Sequence, residues 1–321
     1  MKKILILLIS SFVFSEFTLA DTRGLTRTHV TPFNSGTYRA LVIGNNEYMD
    51  KQGLWQSLKT AKQDAVTVAN ILEKNYGFSD VTLLHDASRR DIILELNNLA
   101  RRTNPEDSVL VYYAGHGYLD EETNRGYWIP SDATGDDITT YIRNSAIRDE
   151  ILLISEKAQH TLLVSDSCFS GALLRGGNRG GAKHGVSSAS YYEKSANKKS
   201  VQIFAAGGME FVDDNYRSSG HSPFTYFLLS ELENNKSALI TLTELSTNVA
   251  KAVANNVQQS PEIGVLYGAG DELGEFIFAK VTVETEEGIA EYAVQAQKLS
   301  DERFNKKAKR ARELVLPSLR L

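Results

Sequence analysis

Two apolar runs, Val109–Tyr113 and Thr161–Val164, constrain this chain more than anything else in it. The first runs out into Gly115-His116-Gly117, the second into Asp166-Ser-Cys168-Phe-Ser170-Gly171. Each reads as a short buried strand that stops on turn chemistry. Strands that are apolar along their whole length belong to parallel sheets covered on both faces. Parallel neighbours need crossover connections, and right-handed crossovers deliver all the strand-end loops to one edge.

The rest of the chain has the same grammar. Further strands are expected at Tyr38–Ile43, ended by Gly44-Asn45-Asn46, and at Val81–Leu84, Val201–Ala205 and Glu275–Ala279. Helices are expected at 60–75, where Ala61, Ala65, Val68, Ala69 and Leu72 recur at helical spacing until Gly77. Others fall at 88–101 with Ser88 as N-cap, around 146–158, and near 223–234 and 242–256. Alternation of this kind predicts an α/β fold, a mostly parallel sheet with helices on both faces.

Ligands of open α/β sheets collect beyond the carboxyl ends of the strands. Cys168, the single cysteine, is expected there, and so is His116. A lone thiol is usually a small buried hydrophobe and a loop histidine usually a surface residue. Together at matching strand ends they can do chemistry: the imidazole takes the thiol proton and the thiolate becomes a nucleophile. The Gly117 and Cys168 backbone N–H groups are then candidates for an oxyanion hole.

His-Gly after one strand and Asp-Ser-Cys-x-Ser-Gly after a later one resemble the caspase-like cysteine peptidases, metacaspases especially. The spacing from position 116 to 168 suits that family, whose histidine precedes its cysteine by about 50 residues. The Gln-Ala-Cys-x-Gly form typical of caspases is absent, and Asp166–Gly171 is closer to the metacaspase and bacterial form. The resemblance runs from about 38 to 280. It implies a three-layer caspase-like sandwich around a mostly parallel six-stranded sheet, with Cys168 as nucleophile and His116 as base. It also implies that Asp166 lines the S1 pocket for Arg or Lys, and that Asp64, in Leu58-Lys-Thr-Ala-Lys-Gln-Asp-Ala65, joins it. Two positions depart from the metacaspase pattern: Ala61 stands where a cysteine is common, and Ala114 where a serine is.

A carboxylate two residues before a thiolate opposes its activation, so Asp166 makes more sense if it receives a positive charge from the substrate. Each aspartate also has a local reading, Asp64 as a surface helix residue and Asp166 as a turn former. The loop Gly44–Thr60 contains no arginine, which an aspartate-specific pocket would need. Glu210, Asp213 and Asp214 can add negative charge, or can simply be solvated. No cofactor or metal is required by the motifs. Calcium is the one candidate, since many metacaspases need it; Asp120-Glu121-Glu122, Asp132 and Asp136-Asp137 supply oxygen atoms but no EF-hand loop.

Residues 173–200 are expected to be a mobile loop, with five glycines and six basic residues (Arg175, Arg179, Lys183, Lys194, Lys198, Lys199) against Glu193. In the family the corresponding connection is often cleaved by the enzyme itself, so self-processing is a hypothesis here. Residues 1–20 read as a signal peptide: Lys2-Lys3, an apolar stretch from Ile4, and small residues up to Ala20. No cysteine follows it, against a lipoprotein anchor. A flexible segment is expected at 21–37, the peptidase domain at 38–280 and a helical tail at 281–321, either packed on the domain or a docking arm. The tail carries six basic residues between Arg303 and Arg312, but the chain as a whole has a formal charge of −5 and no nucleic-acid footprint. No membrane span is expected in the mature chain. The expectation is a periplasmic or secreted cysteine endopeptidase acting on peptides or proteins after Arg or Lys. The alternative is a non-catalytic caspase-like binding or scaffold protein.

Overall fold

A computed structural model describes residues 36–168, 170–174, 189–207, 214–266 and 268–281. The leader, the 21–35 segment, residues 175–188, Glu210, Asp213 and the tail from 282 lie outside the described residues. In chain order the elements begin with β1 Tyr38–Gly44, α1 Ala61–Tyr76, β2 Asp80–His85, α2 Arg89–Arg102 and β3 Ser108–Ala114. There follow β4 Gly117–Asp120, β5 Arg125–Trp128, β6 Ile142–Arg143, α3 Asn144–Lys157 and β7 His160–Asp166. The last group is α4 Ala189–Ala196, β8 Ser200–Ala205, α5 Pro223–Asn234, β9 Leu239–Thr241, α6 Leu242–Ala254, β10 Glu262–Val265 and β11 Ile277–Ala279.

The central sheet has the order β10-β8-β7-β3-β1-β2, parallel throughout except for β10. Alternation along each strand sorts its side chains between two cores. Leu110 and Tyr112 of β3 meet Val68 and Leu72 of α1, Leu228 of α5 and Leu245 of α6 on one face. Val109, Val111 and Tyr113 meet Ile92 and Leu96 of α2 and Ile147 and Ile151 of α3 on the other. The result is the expected three-layer α/β sandwich. Helix ends follow sequence rules closely: Ser88 caps α2 with a full capping box through Asp91, Thr241 does the same for α6 through Glu244, and Gly77 ends α1 in the left-handed region.

The sixth strand differs from expectation. Glu275–Ala279 does not join the central sheet; β11 pairs instead with β9 in a separate two-stranded ribbon. The edge position belongs to β10, antiparallel to β8. The sequence pattern hid it: in Glu262-Ile-Gly-Val265 only Gly264 is buried, as edge strands require little apolar surface. A second addition is the small antiparallel sheet β4-β5-β6, which leaves the central sheet directly after His116. Ala189–Ala196 forms a helix inside the stretch expected to be loop.

His160, at the start of β7, is buried against Ser200 Oγ (2.9 Å) and the Ala196 carbonyl (3.0 Å). Burial pushes its imidazole down to about 4. The unfolded chain, with an ordinary histidine near 6.5, therefore binds the extra proton first, and stability drains away as pH falls from 6.5 to 4. We predict that His160→Gln, apart from its own pH-independent packing cost, shows less acid destabilisation in urea melts over that window, by ~3 kcal/mol at the acid end. Parallel pH profiles of the two proteins would refute this.

Candidate active site

Ladder contacts continue past the strand ends. Asn45 N–H donates to the Ala114 carbonyl (3.0 Å), Gly115 N–H to the Asp166 carbonyl (3.3 Å) and Ala206 N–H to the Ser165 carbonyl (2.9 Å). The loops after β1, β3, β7 and β8 therefore leave the sheet from fixed, adjacent origins. Between them opens a cavity of about 300 Å³ lined by His116, Gly117, Cys168, Asp64, Asp166 and Asp214, among others. His116, Gly117, Cys168, Asp64 and Asp166 all line this one cavity, and so does Asp214, the one described residue of the three acids considered for added negative charge.

His116 is held on every side. Its backbone N–H donates to Tyr48 Oη (2.9 Å), and that hydroxyl donates on to the Asn45 carbonyl (3.1 Å). Its carbonyl accepts from Tyr113 Oη (2.9 Å) and Ile129 N–H (3.1 Å). The imidazole lies 4.8 Å from the Tyr48 ring and 5.6 Å from the Trp55 ring, centroid to centroid. Nε2 is 2.7 Å from the Gln56 carbonyl oxygen. A carbonyl only accepts, so Nε2 carries hydrogen and Nδ1 is left with its lone pair. Burial pushes the His116 imidazole below its ordinary value, against the Gln56 carbonyl and the charge on Asp214, which favour the protonated form. A neutral imidazole with one open basic nitrogen can take a proton from a thiol.

Cys168 is partly exposed and sits on a turn, for β7 ends at Asp166 and the chain bends at Ser167. Strand alternation therefore does not reach Cys168; the bend brings it to the cavity that Asp166 also lines. Just beyond, Ser170 Oγ (3.1 Å) and Gly171 N–H (2.8 Å) donate to the Gly207 carbonyl and tie this turn to the end of β8. Gly117 lies against the Cys168 backbone so closely that a Cβ on it would stand 2.1 Å from the Cys168 carbonyl oxygen.

The acidic side of the cavity is built on α1 and on the start of α5. Asp166 Oδ2 accepts from Thr225 Oγ1 (2.6 Å) and from Ser222 Oγ, the residue that caps α5. Its Oδ1 is buried and has no hydrogen-bond donor among the described residues. Burial, and then the charge on Asp64, push the Asp166 carboxyl up to about 7. Asp64 Oδ1 accepts from His221 Nδ1 (2.6 Å) and Oδ2 from Ser222 N–H (3.3 Å). Burial pushes its carboxyl up and the His221 contact pulls it back. Asp214 accepts from the backbone N–H groups of Lys59 and Thr60 (2.7 and 3.2 Å). No lysine or arginine is among the described residues lining the cavity, and both Ala61 and Ala114 form part of its wall.

The family match covers residues 37–266 and is to the caspase domain. The chain belongs to the caspase-domain family of cysteine peptidases. It is 27% identical over 154 residues to metacaspase-1 of Saccharomyces cerevisiae, a match spanning 44% of this chain and 35% of that protein. The chain thus matches about a third of the length of that relative. Among solved structures, caspase-1 from Spodoptera frugiperda superposes with a TM-score of 0.51 at 17% identity, covering 73% of this chain and 90% of the other, which is a likeness of fold.

Several site features had no sequence signal. Any residue has a carbonyl, so nothing marked Gln56, and no local pattern distinguished Tyr48 or Trp55. Ser222-Pro223 is legible as a helix start, but nothing tied it to an aspartate far upstream. Of the acids considered for calcium, Asp132 accepts from Arg89 N–H, Asp120 from Thr123 N–H and Asp137 from Thr139 N–H. Among the described residues no cluster of three metal-ligating side chains occurs.

The Gly117 contact yields a test. Gly117→Ala must push the Cys168 backbone away, and where the Gly117 and Cys168 N–H groups form the oxyanion hole expected from the sequence, losing one such donor costs about 100-fold or more in turnover. We expect a protein with unchanged circular dichroism whose labelling at Cys168 by a peptidyl electrophile is slowed at least ~100-fold. Labelling at the wild-type rate would mean the two backbones do not meet as described.

Proposed function

We propose that this protein is an exported cysteine endopeptidase that hydrolyses peptide bonds on the carboxyl side of Arg or Lys. The observation that carries the specificity is one cavity wall that, among the described residues, has three aspartates, no lysine or arginine, and a buried carboxylate oxygen on Asp166 without a donor. Burying an ionised carboxylate unpaired is costly, and a guanidinium or ammonium group entering the cavity supplies the missing charge and donor.

In this reading His116 Nδ1 takes the Cys168 proton and the thiolate attacks the scissile carbonyl carbon. The carbonyl oxygen becomes an oxyanion facing the Gly117 and Cys168 N–H groups. The C–N bond then breaks, and the proton held on Nδ1 passes to the leaving amine. A water, deprotonated by His116, attacks the thioester carbonyl; the C–S bond breaks, the acid product leaves, and the proton on His116 returns to the Cys168 sulfur. The Gln56 carbonyl holds the ring through both proton transfers and accepts more strongly from the imidazolium.

Export rests on the Lys2-Lys3 and apolar pattern before Ala20, and self-processing on the arginines and lysine at 175, 179 and 183, in a connection of the kind family members cleave. No helix among the described residues is long and apolar enough to cross a membrane.

Fluorogenic peptides ending in Arg, Lys, Asp or Leu, assayed with and without calcium, test the reading directly. Cleavage should follow Arg and Lys and vanish in Cys168→Ala. Because protonating Asp166 removes the counter-charge, KM for an Arg substrate should rise as pH falls below about 7, and Asp166→Asn should raise KM ~10-fold or more and flatten that dependence. Cleavage after Asp would overturn the assigned pocket, and silence on all four peptides would favour a non-catalytic scaffold.

A further inference from the structure

Asp64 reaches the cavity from α1, but the group that orients it does not line the cavity at all. His221 stands behind it, with Nδ1 2.6 Å from Asp64 Oδ1. Asp64 is almost wholly buried, and its second oxygen takes the Ser222 N–H. The neighbouring carboxylates are held by other groups, Asp166 by Ser222 and Thr225 and Asp214 by the Lys59 and Thr60 amides. Loss of His221 therefore acts on Asp64 first.

The chain accepts backbone strain to put His221 there. Between Asn215 and His221 it passes through left-handed conformations at Arg217 (φ 46°) and Ser218 (φ 59°), neither of them glycine, and at Gly220. Tyr216 N–H closes the loop on the His221 carbonyl (2.7 Å), and Ser219 Oγ accepts from His221 N–H (3.2 Å). Strain kept in a loop that borders a site is commonly tied to its function.

We propose that His221 is a positioning residue for the basic substrate side chain: its Nδ1–H fixes the Asp64 carboxylate as an anion beside Asp166, so that Asp64 adds its negative charge to the pocket. The inference rests on the basic specificity proposed above and adds a residue to it. It makes the requirement one of hydrogen-bond donation from the δ position, not of an aromatic ring. Asparagine offers Nδ2 from the same Cγ, whereas leucine fills similar space and donates nothing.

The test compares wild type, His221→Leu and His221→Asn by peptide kinetics and by NMR titration of the Asp64 carboxyl carbon. Replacing a donor to a buried carboxylate should raise KM for Arg peptides about 10- to 100-fold in His221→Leu, with kcat held within about twofold. Asp64 should titrate higher in that variant, and His221→Asn should return both quantities toward wild type. A fall in kcat at unchanged KM, or an asparagine variant no better than leucine, would overturn the inference. The two proposals fail separately. A wild type indifferent to Arg and Lys sinks the specificity reading, and an Asp64 titration indifferent to position 221 sinks the role of His221 whatever the peptides show.

Discussion

The registry of three parallel strands is the constraint on which the rest depends. Ala114 at the end of β3 lies level with Gly44 of β1 and with Asp166 of β7. A slip of one residue would turn every side chain of a strand to the opposite face. Here both faces are buried, so a slip would exchange Val111 for Tyr112 in two cores already filled, one by α1, α5 and α6 and the other by α2 and α3. Overpacking on one side and a cavity on the other both destabilise. Core packing thus sets where the Gly115–Gly117 and Ser167–Cys168 turns begin, to within a residue, before any interaction of the site itself is formed.

What could be read in the sequence follows from this. The apolar runs that fill the two cores are local patterns, and they marked five of the six central strands and five helices. Cys168, His116, Gly117, Asp166 and Asp64 were legible because strand ends and a family motif mark them. The edge strand β10 was not, because an edge strand needs little apolar signal; the apolar run in Glu275–Ala279 does hold a strand, Ile277–Ala279, but in another sheet. The supports of the site were also hidden. Asp166 and Thr225, or Asp64 and His221, are far apart in the chain, and no local pattern records that the fold brings them within 2.6 Å.

The site itself runs against the stability of the domain. A carboxyl whose folded value lies above its unfolded one binds protons more tightly in the fold, so an ionised Asp166 weakens the domain at neutral pH, and acid returns that loss. His160 acts in the opposite sense, because its folded value lies below the unfolded one and acid favours unfolding. Over much of the range between pH 7 and 4 the two contributions oppose each other. A flat stability profile there would not mean that the protein lacks titrating buried groups. The two can be told apart by location: His160 lies at the start of β7, Asp166 at its end. A cation that pairs with Asp166 relieves the cost only at the cavity end of the strand. Under the proposed reading, substrate binding therefore stabilises the domain most at neutral pH, where the unpaired carboxylate weakens it most, and leaves the His160 contribution untouched.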